Sequence, residues 1–209
     1  LIQWLHRISK ADKPVIAMLA PAVCGQFRVN YPAVAQAVMK LGFTGVYEVA
    51  AGATLTAKHE AQELAETLES GKPFMTTSCC PAWVEMTEKH LPQLKPSVSA
   101  TWSPMRYTAA LVREKYPDAT VVFIGPCVAK QAEARKYEGV DFVMTFEELG
   151  SLMIAMNVDF QDFDQEELGE VIPERIFAAS SGVLSAVMAN YHGEPRSEER
   201  RVGKECRSR

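Results

Sequence analysis

The chain has 209 residues, 47% of them hydrophobic, with 22 Lys and Arg against 26 Asp and Glu. This composition fits a globular domain, and its net charge of −4 argues against nucleic acid as a partner. No apolar run reaches membrane length and no signal-peptide pattern appears, so neither membrane insertion nor export is expected. From the start of the chain, Leu1–Ser9 reads as the end of an amphipathic helix, with Trp4, Leu5 and Ile8 on one face. Val15–Leu19 is a short apolar strand ending at Ala20-Pro21, and Gly45–Val49 is a second. A helix is predicted over Ala53–Ser70, then a strand over Phe74–Thr77 that leads into Ser78-Cys79-Cys80-Pro81. Helices over Ala82–His90 and Pro104–Tyr116 follow, then a buried strand over Ala119–Ile124 closed by Gly125-Pro126-Cys127. Phe142–Thr145 and Arg175–Ala178 read as further strands, and Glu147–Met156 and Ser181–Asn190 as helices. The acidic stretch Asp159–Glu170 is expected to be solvated.

Continuous apolar strands separated by helices of ten or more residues indicate parallel βαβ units, hence an α/β fold. Pro21, Cys79-Cys80 and Cys127 all fall just beyond the carboxyl ends of predicted strands, the edge of an open α/β sheet where ligands bind.

The last fourteen residues, Arg196–Arg209, lack any apolar period and match the translation of a common sequencing-library adapter. A basic tail for nucleic acid is the functional alternative. The native part is therefore expected to be 1–195, with 196–209 a non-native tail. Without it, six of the 22 basic and three of the 26 acidic residues go, leaving 16 against 23 and a net charge of −7. Four cysteines then remain: Cys24, Cys79, Cys80 and Cys127. They are too sparse for a secreted disulfide framework, which favours a reducing, cytoplasmic compartment.

Two segments carry chemistry. In Thr76–Trp83 (TTSCCPAW), adjacent side chains of an extended segment point in opposite directions, so one thiol is free to ligate a metal while the other faces a different chamber. A buried apolar pair is the plain alternative. In Phe123–Glu133 (FIGPCVAKQAE), Lys130 and Glu133 follow Cys127 by three and six residues, on its side of any helix that begins there. Thiolates bind soft metal centres and a buried lysine hydrogen-bonds anions; a helix start with a surface Lys–Glu pair is the alternative.

TSCCPAW followed about forty-five residues later by GPCVAK resembles the first two signatures of the iron-only (FeFe) hydrogenases, and LAPAV (Leu19–Val23) resembles that family's upstream strand-end segment. The resemblance runs from about Val15 to Pro195 and implies one lobe and part of a second lobe of the family's H-cluster domain. A third signature, with two more cysteines, is expected beyond this chain, so the fragment by itself is expected to be inactive.

The resemblance implies that Cys80 and Cys127 ligate the 4Fe–4S part of the H-cluster and that Cys79 relays protons to its diiron subsite. Lys130 is implied to hydrogen-bond a cyanide, with Glu133 beside it, while Ala20 and Pro21 line the other cyanide pocket. Ser103 is implied to lie near the diatomic ligands. Also implied are dihydrogen and protons as substrates, a ferredoxin-type electron carrier, maturation proteins, and accessory iron–sulfur clusters preceding Leu1. A non-catalytic iron–sulfur relative, a hydrogen sensor or a cluster-assembly protein, is the alternative; retention of both Cys79 and Cys80 weighs against it.

The sequence departs from the family pattern in three places. Gly125 stands where familiar members have Met, which predicts a roomier pocket. Met105 replaces an expected Gln. The two glutamates of the family's proton path correspond to His59 and Gln62, with Glu60 and Glu63 displaced by one residue and expected to point elsewhere; Ser99 matches that path's serine. Cys24 is expected to pack in the core.

Overall fold

A computed structural model describes residues 13–163 and 173–192. The predicted helix at Leu1–Ser9, most of the acidic stretch after Phe163 and the tail 196–209 lie outside the described residues.

Four strands form one parallel sheet in the order β2-β1-β3-β4, with β1 at Val15–Leu19, β2 at Gly45–Glu48, β3 at Thr120–Gly125 and β4 at Phe142–Thr145. β1 lies between β2 and β3, pairing Ile16 with Gly45 and Val15 with Thr120. All five residues of β1 and the last five of β3 are buried. Helices cover both faces of such strands, which explains continuous apolar runs in place of alternation. The helices are α1 (Val23–Phe27), α2 (Tyr31–Lys40), α3 (Ala50–Glu69), α4 (Pro81–His90), α5 (Pro104–Lys115), α6 (Lys130–Lys136), α7 (Phe146–Ala155) and α8 (Gly182–Asn190). The sequence pattern leaves α1 and α2 unassigned, although Asn30 marks the start of α2 by accepting from the Ala33 N–H at 2.9 Å. At α7 the caps are reciprocal: Thr145 accepts from Glu148 N, and the Glu148 carboxylate accepts from Thr145 N.

Two predicted strands take other forms. Phe74–Thr77 makes a single parallel bridge, Thr76 to Val98, because its partner stretch follows directly on the turn Pro92–Ser97, which contains Pro96. Arg175 falls in a 3-10 turn, Pro173–Ala178, whose backbone closes locally as Ala179 N donates to Ile176 O. The Arg175 side chain ties that turn to the end of β2 through a two-pronged ion pair with Glu48, one N–H···O contact being 2.8 Å.

The packing of α3 on α5 positions the site. A Cβ on Gly52 would lie 2.2 Å from Pro104 O and 2.3 Å from Thr108 Oγ1, so only glycine lets the two helices meet this closely. The contact fixes the rotation of α3 and so decides which of its polar residues face inward. Among the described residues no helix is long and apolar enough to cross a membrane.

Candidate functional site

A cavity of about 350 Å³ opens at the carboxyl edge of the sheet. Ala20 and Pro21 after β1, Cys79 and Cys80 before α4, and Cys127 and Lys130 after β3 all border it. The backbone explains the convergence: Ala20 N donates to Ile124 O at 2.9 Å, extending the β1–β3 ladder to the point where both chains turn away. Pro81 opens α4, where a missing N–H leaves no acceptor unpaired. The three segments expected at one rim are therefore brought together.

Alternation along an extended segment predicts different surroundings for the two adjacent cysteines. Both border this one cavity, and what separates them is exposure: Cys79 is half-buried and Cys80 exposed. Cys80 itself is extended, with φ −100° and ψ 105°, at the N-cap of α4. Burial pushes the Cys79 thiol up, partly offset by the hydrogen bond it shares with Thr77 Oγ1 at 3.3 Å.

Lys130 is 8% exposed and donates both to Cys79 O at 3.1 Å and to Glu133 Oε2 at 2.6 Å. The other Glu133 oxygen accepts from Ser103 Oγ at 2.5 Å. This buried set of ammonium, carboxylate and hydroxyl anchors the first turn of α6 and the start of α5 to the Cys79–Cys80 turn. Ser103 lines a neighbouring cavity, whereas Pro104 and Met105 border the thiol cavity.

The residues matched to the family's proton path and their neighbours face otherwise than expected. His59 is exposed; its Nδ1 is 2.8 Å from Leu55 O and its ring stacks on Tyr107. Gln62 is also exposed and donates to Glu66. Glu60 and Glu63 face inward instead. Glu60 is fully buried and accepts from Ser78 N at 3.1 Å, while its Oε2 has no hydrogen-bond partner among the described residues. Glu63 accepts from Ser99 Oγ at 2.5 Å, Ala100 N at 2.8 Å and Thr101 Oγ1 at 3.0 Å. Burial pushes Glu60 up to about 7; the Ser78 N–H opposes the rise only in part, and the neighbouring Glu63 charge adds to it. The signal that finds this pair is the buried Gly52 contact that sets the helix rotation, which no residue count back from Cys79 contains.

Gly125 does not leave the expected open space. A Cβ there would lie 2.6 and 2.7 Å from ring carbons of Phe123, which itself borders the cavity. Residues two apart on a strand share a face, so the ring occupies the volume that a longer side chain at 125 would take. Cys24 packs against the core as expected, and burial raises its pKa.

Cysteines and one ammonium in a largely apolar wall, at the carboxyl edge of a parallel sheet, make this an α/β protein whose candidate site suits a soft, anionic group. The chain belongs to the family of the iron-only hydrogenase large subunit, C-terminal domain, whose model matches residues 13–207. It is 27% identical over 213 residues to iron hydrogenase 1 of Clostridium pasteurianum, covering 88% of this chain and 37% of that protein. It is 30% identical over 107 residues to the cytosolic Fe–S cluster assembly factor NAR1 of Saccharomyces cerevisiae (strain YJM789), covering 46% of this chain and 22% of that protein. A solved variant of apo [FeFe]-hydrogenase HydA1 from Chlamydomonas reinhardtii superposes with a TM-score of 0.70 at 29% identity, over 81% of this chain and 50% of that one. The chain thus spans well under half the length of these two curated relatives.

The donor chemistry fits an iron–sulfur group. Thiolates are its usual ligands and an apolar wall keeps water away from it. Cys80 and Cys127 supply two thiols to the cavity, while among the described residues no cluster of three His, Cys, Asp or Glu side chains is arranged to hold a metal ion.

Proposed function

We propose that the protein carrying this chain interconverts dihydrogen with protons and electrons, and that this segment supplies two thiolate ligands and the proton-handling side of the site. The observation that carries the reading is Glu60, buried against the Cys79 turn through the Ser78 N–H, with the Ser99–Glu63 hydrogen bond one turn further along α3. Cys80 and Cys127 would hold the 4Fe–4S part of an H-cluster, which supplies the redox chemistry when bound. Lys130 orients an anionic ligand with its ammonium, and Glu133 and Ser103 hold Lys130 in place. Ala20, Pro21 and Phe123 exclude water. Cys79 presents a thiol proton at its Sγ. Glu60, pushed up to about 7, takes up and releases a proton near neutrality. Ser99 passes it to Glu63 through a short hydrogen bond. Electrons would come from a ferredoxin-type carrier through further iron–sulfur clusters, and maturation proteins would install the cofactor.

A cluster-assembly role is the second reading, favoured by the similarity to NAR1. One experiment separates the two. The whole protein, matured with the family's assembly enzymes, is expected to evolve hydrogen from a reduced carrier. Cys79→Ser is expected to lose at least about a hundredfold in rate, as for removal of a positioned acid–base group, while keeping its iron content. Iron binding without any hydrogen turnover in the unaltered protein would move the assignment to the assembly role.

A further inference from the structure

A second cavity, of about 150 Å³, lies on the other side of the Lys130–Glu133 pair, bounded by α4, α5 and α6. Pro81 borders both cavities; Lys130 borders the thiol cavity and Glu133 the second one, so this ion pair and a proline form the partition.

The polar groups in its wall are unevenly satisfied. Ser99 and Thr101 donate their hydroxyls to Glu63, and Ser78 donates to Thr101 O. Both acidic side chains in the wall are paired, Glu85 with Lys89 and Glu133 with Lys130. Arg106 is different. Its guanidinium carbon lies over the Trp102 ring at 4.4 Å and over the Tyr137 ring at 3.9 Å. Only its main-chain N–H has an acceptor, Ser103 Oγ; among the described residues no oxygen accepts from the guanidinium. A guanidinium stacked on aromatic faces is held still while its in-plane N–H groups remain available. Lys136, whose Nζ is 3.5 Å from Glu88, adds a second cation to the same wall. The unmet hydrogen-bonding capacity of this cavity is therefore cationic.

At about 30 Å³ per water, the space holds roughly five waters, enough for one small oxyanion. A planar fork of donors matches the paired oxygens of a carboxylate or phosphate better than a spherical halide. We propose that this cavity binds a small oxyanion through the Arg106 fork, with Lys136 in support. The proposal goes beyond the hydrogenase reading and does not depend on it, since none of these groups holds iron.

The indole of Trp102, against the guanidinium, is the reporter. Inorganic phosphate and acetate are titrated separately into the 209-residue chain at constant ionic strength, with chloride as control, following tryptophan emission. A saturable change with one anion or both, absent with chloride, is expected; saturation by phosphate alone identifies a phosphoryl-type ligand, and by acetate alone a carboxylate. Arg106→Gln is expected to weaken binding about tenfold or more, the scale of one charge-assisted contact, and Lys136→Gln by a smaller factor. If Arg106→Gln loses its circular dichroism signature, Arg106→Lys keeps the charge and stem and is expected to bind more weakly than the unaltered chain. No saturation by either anion, or equal affinity in the unaltered chain and the folded Arg106 variant, overturns the proposal. Neither outcome bears on the hydrogenase reading, because every thiol is left in place.

Discussion

Glu133 and Glu60 flank the same cysteine turn, both buried, yet the protein treats them in opposite ways. Glu133 has an ammonium on one oxygen at 2.6 Å and a hydroxyl on the other at 2.5 Å. Glu60 has one main-chain N–H at 3.1 Å and an oxygen with no partner among the described residues. A carboxylate supplied with a cation and a hydroxyl works as a strut that ties α5, α6 and the cysteine turn together. One supplied with a single N–H is easier to protonate than to leave charged, and so becomes a group that can exchange a proton near pH 7. Partner count, more than burial, separates the structural carboxylate from the chemical one.

The largest effect is expected at the strut. Lys130→Met strands Glu133 without its cation and is expected to cost about 3–5 kcal/mol of stability in urea titration. Adding Glu133→Gln should recover much of that loss; equal losses in the single and double variants would show that the two groups do not act as a pair.

Next comes the pH dependence of Glu60. Its pKa is near 7 when folded and about 4.3 in an unfolded chain, so between these values the folded state holds the extra proton. Stability is then fully favoured below about pH 4.3 and declines as pH rises to about 7, by a total on the order of 3 kcal/mol. Glu60→Gln should flatten that part of the urea-stability profile. A profile unchanged by the substitution would place the titration elsewhere.

A smaller effect is expected for Ser99→Ala, which removes a donor to Glu63 and an acceptor for Thr101 N. About 1–2 kcal/mol is expected from thermal melts, together with slower hydrogen turnover in the matured whole protein. Smallest of all, His59→Ala and Gln62→Ala should stay within about 0.5 kcal/mol, as exposed side chains do, and leave turnover intact. Loss of hydrogen turnover in His59→Ala would restore the outward-facing pair to the proton path.

The α/β class, the four sheet strands and the gathering of Ala20-Pro21, Cys79-Cys80 and Cys127 at one edge were legible in the chain, because buried strands and strand-end turns leave local marks. The inward pair on α3 was not. One residue turns a helix by about 100°, and the loop between Glu69 and Thr76 can absorb a residue without changing any pattern in the sequence. That Cys79 and Cys80 border one cavity was not legible either: Cys80 is extended as the alternation requires, but the other walls come from the ends of β1 and β3, far away in the chain. Arg175 read as a strand residue because its neighbours are apolar, whereas its conformation is set by Glu48, 127 positions earlier.

Phe123 and Gly125 are coupled by packing. A Cβ at 125 would lie 2.6 Å from a ring carbon of Phe123, so a side chain there requires the ring to move, while trimming Phe123 alone leaves a void beside the cavity. The two positions share one volume, so a larger residue at 125 is expected to be tolerated better together with a smaller one at 123. The shape of this part of the cavity wall is thus set jointly by Phe123 and Gly125.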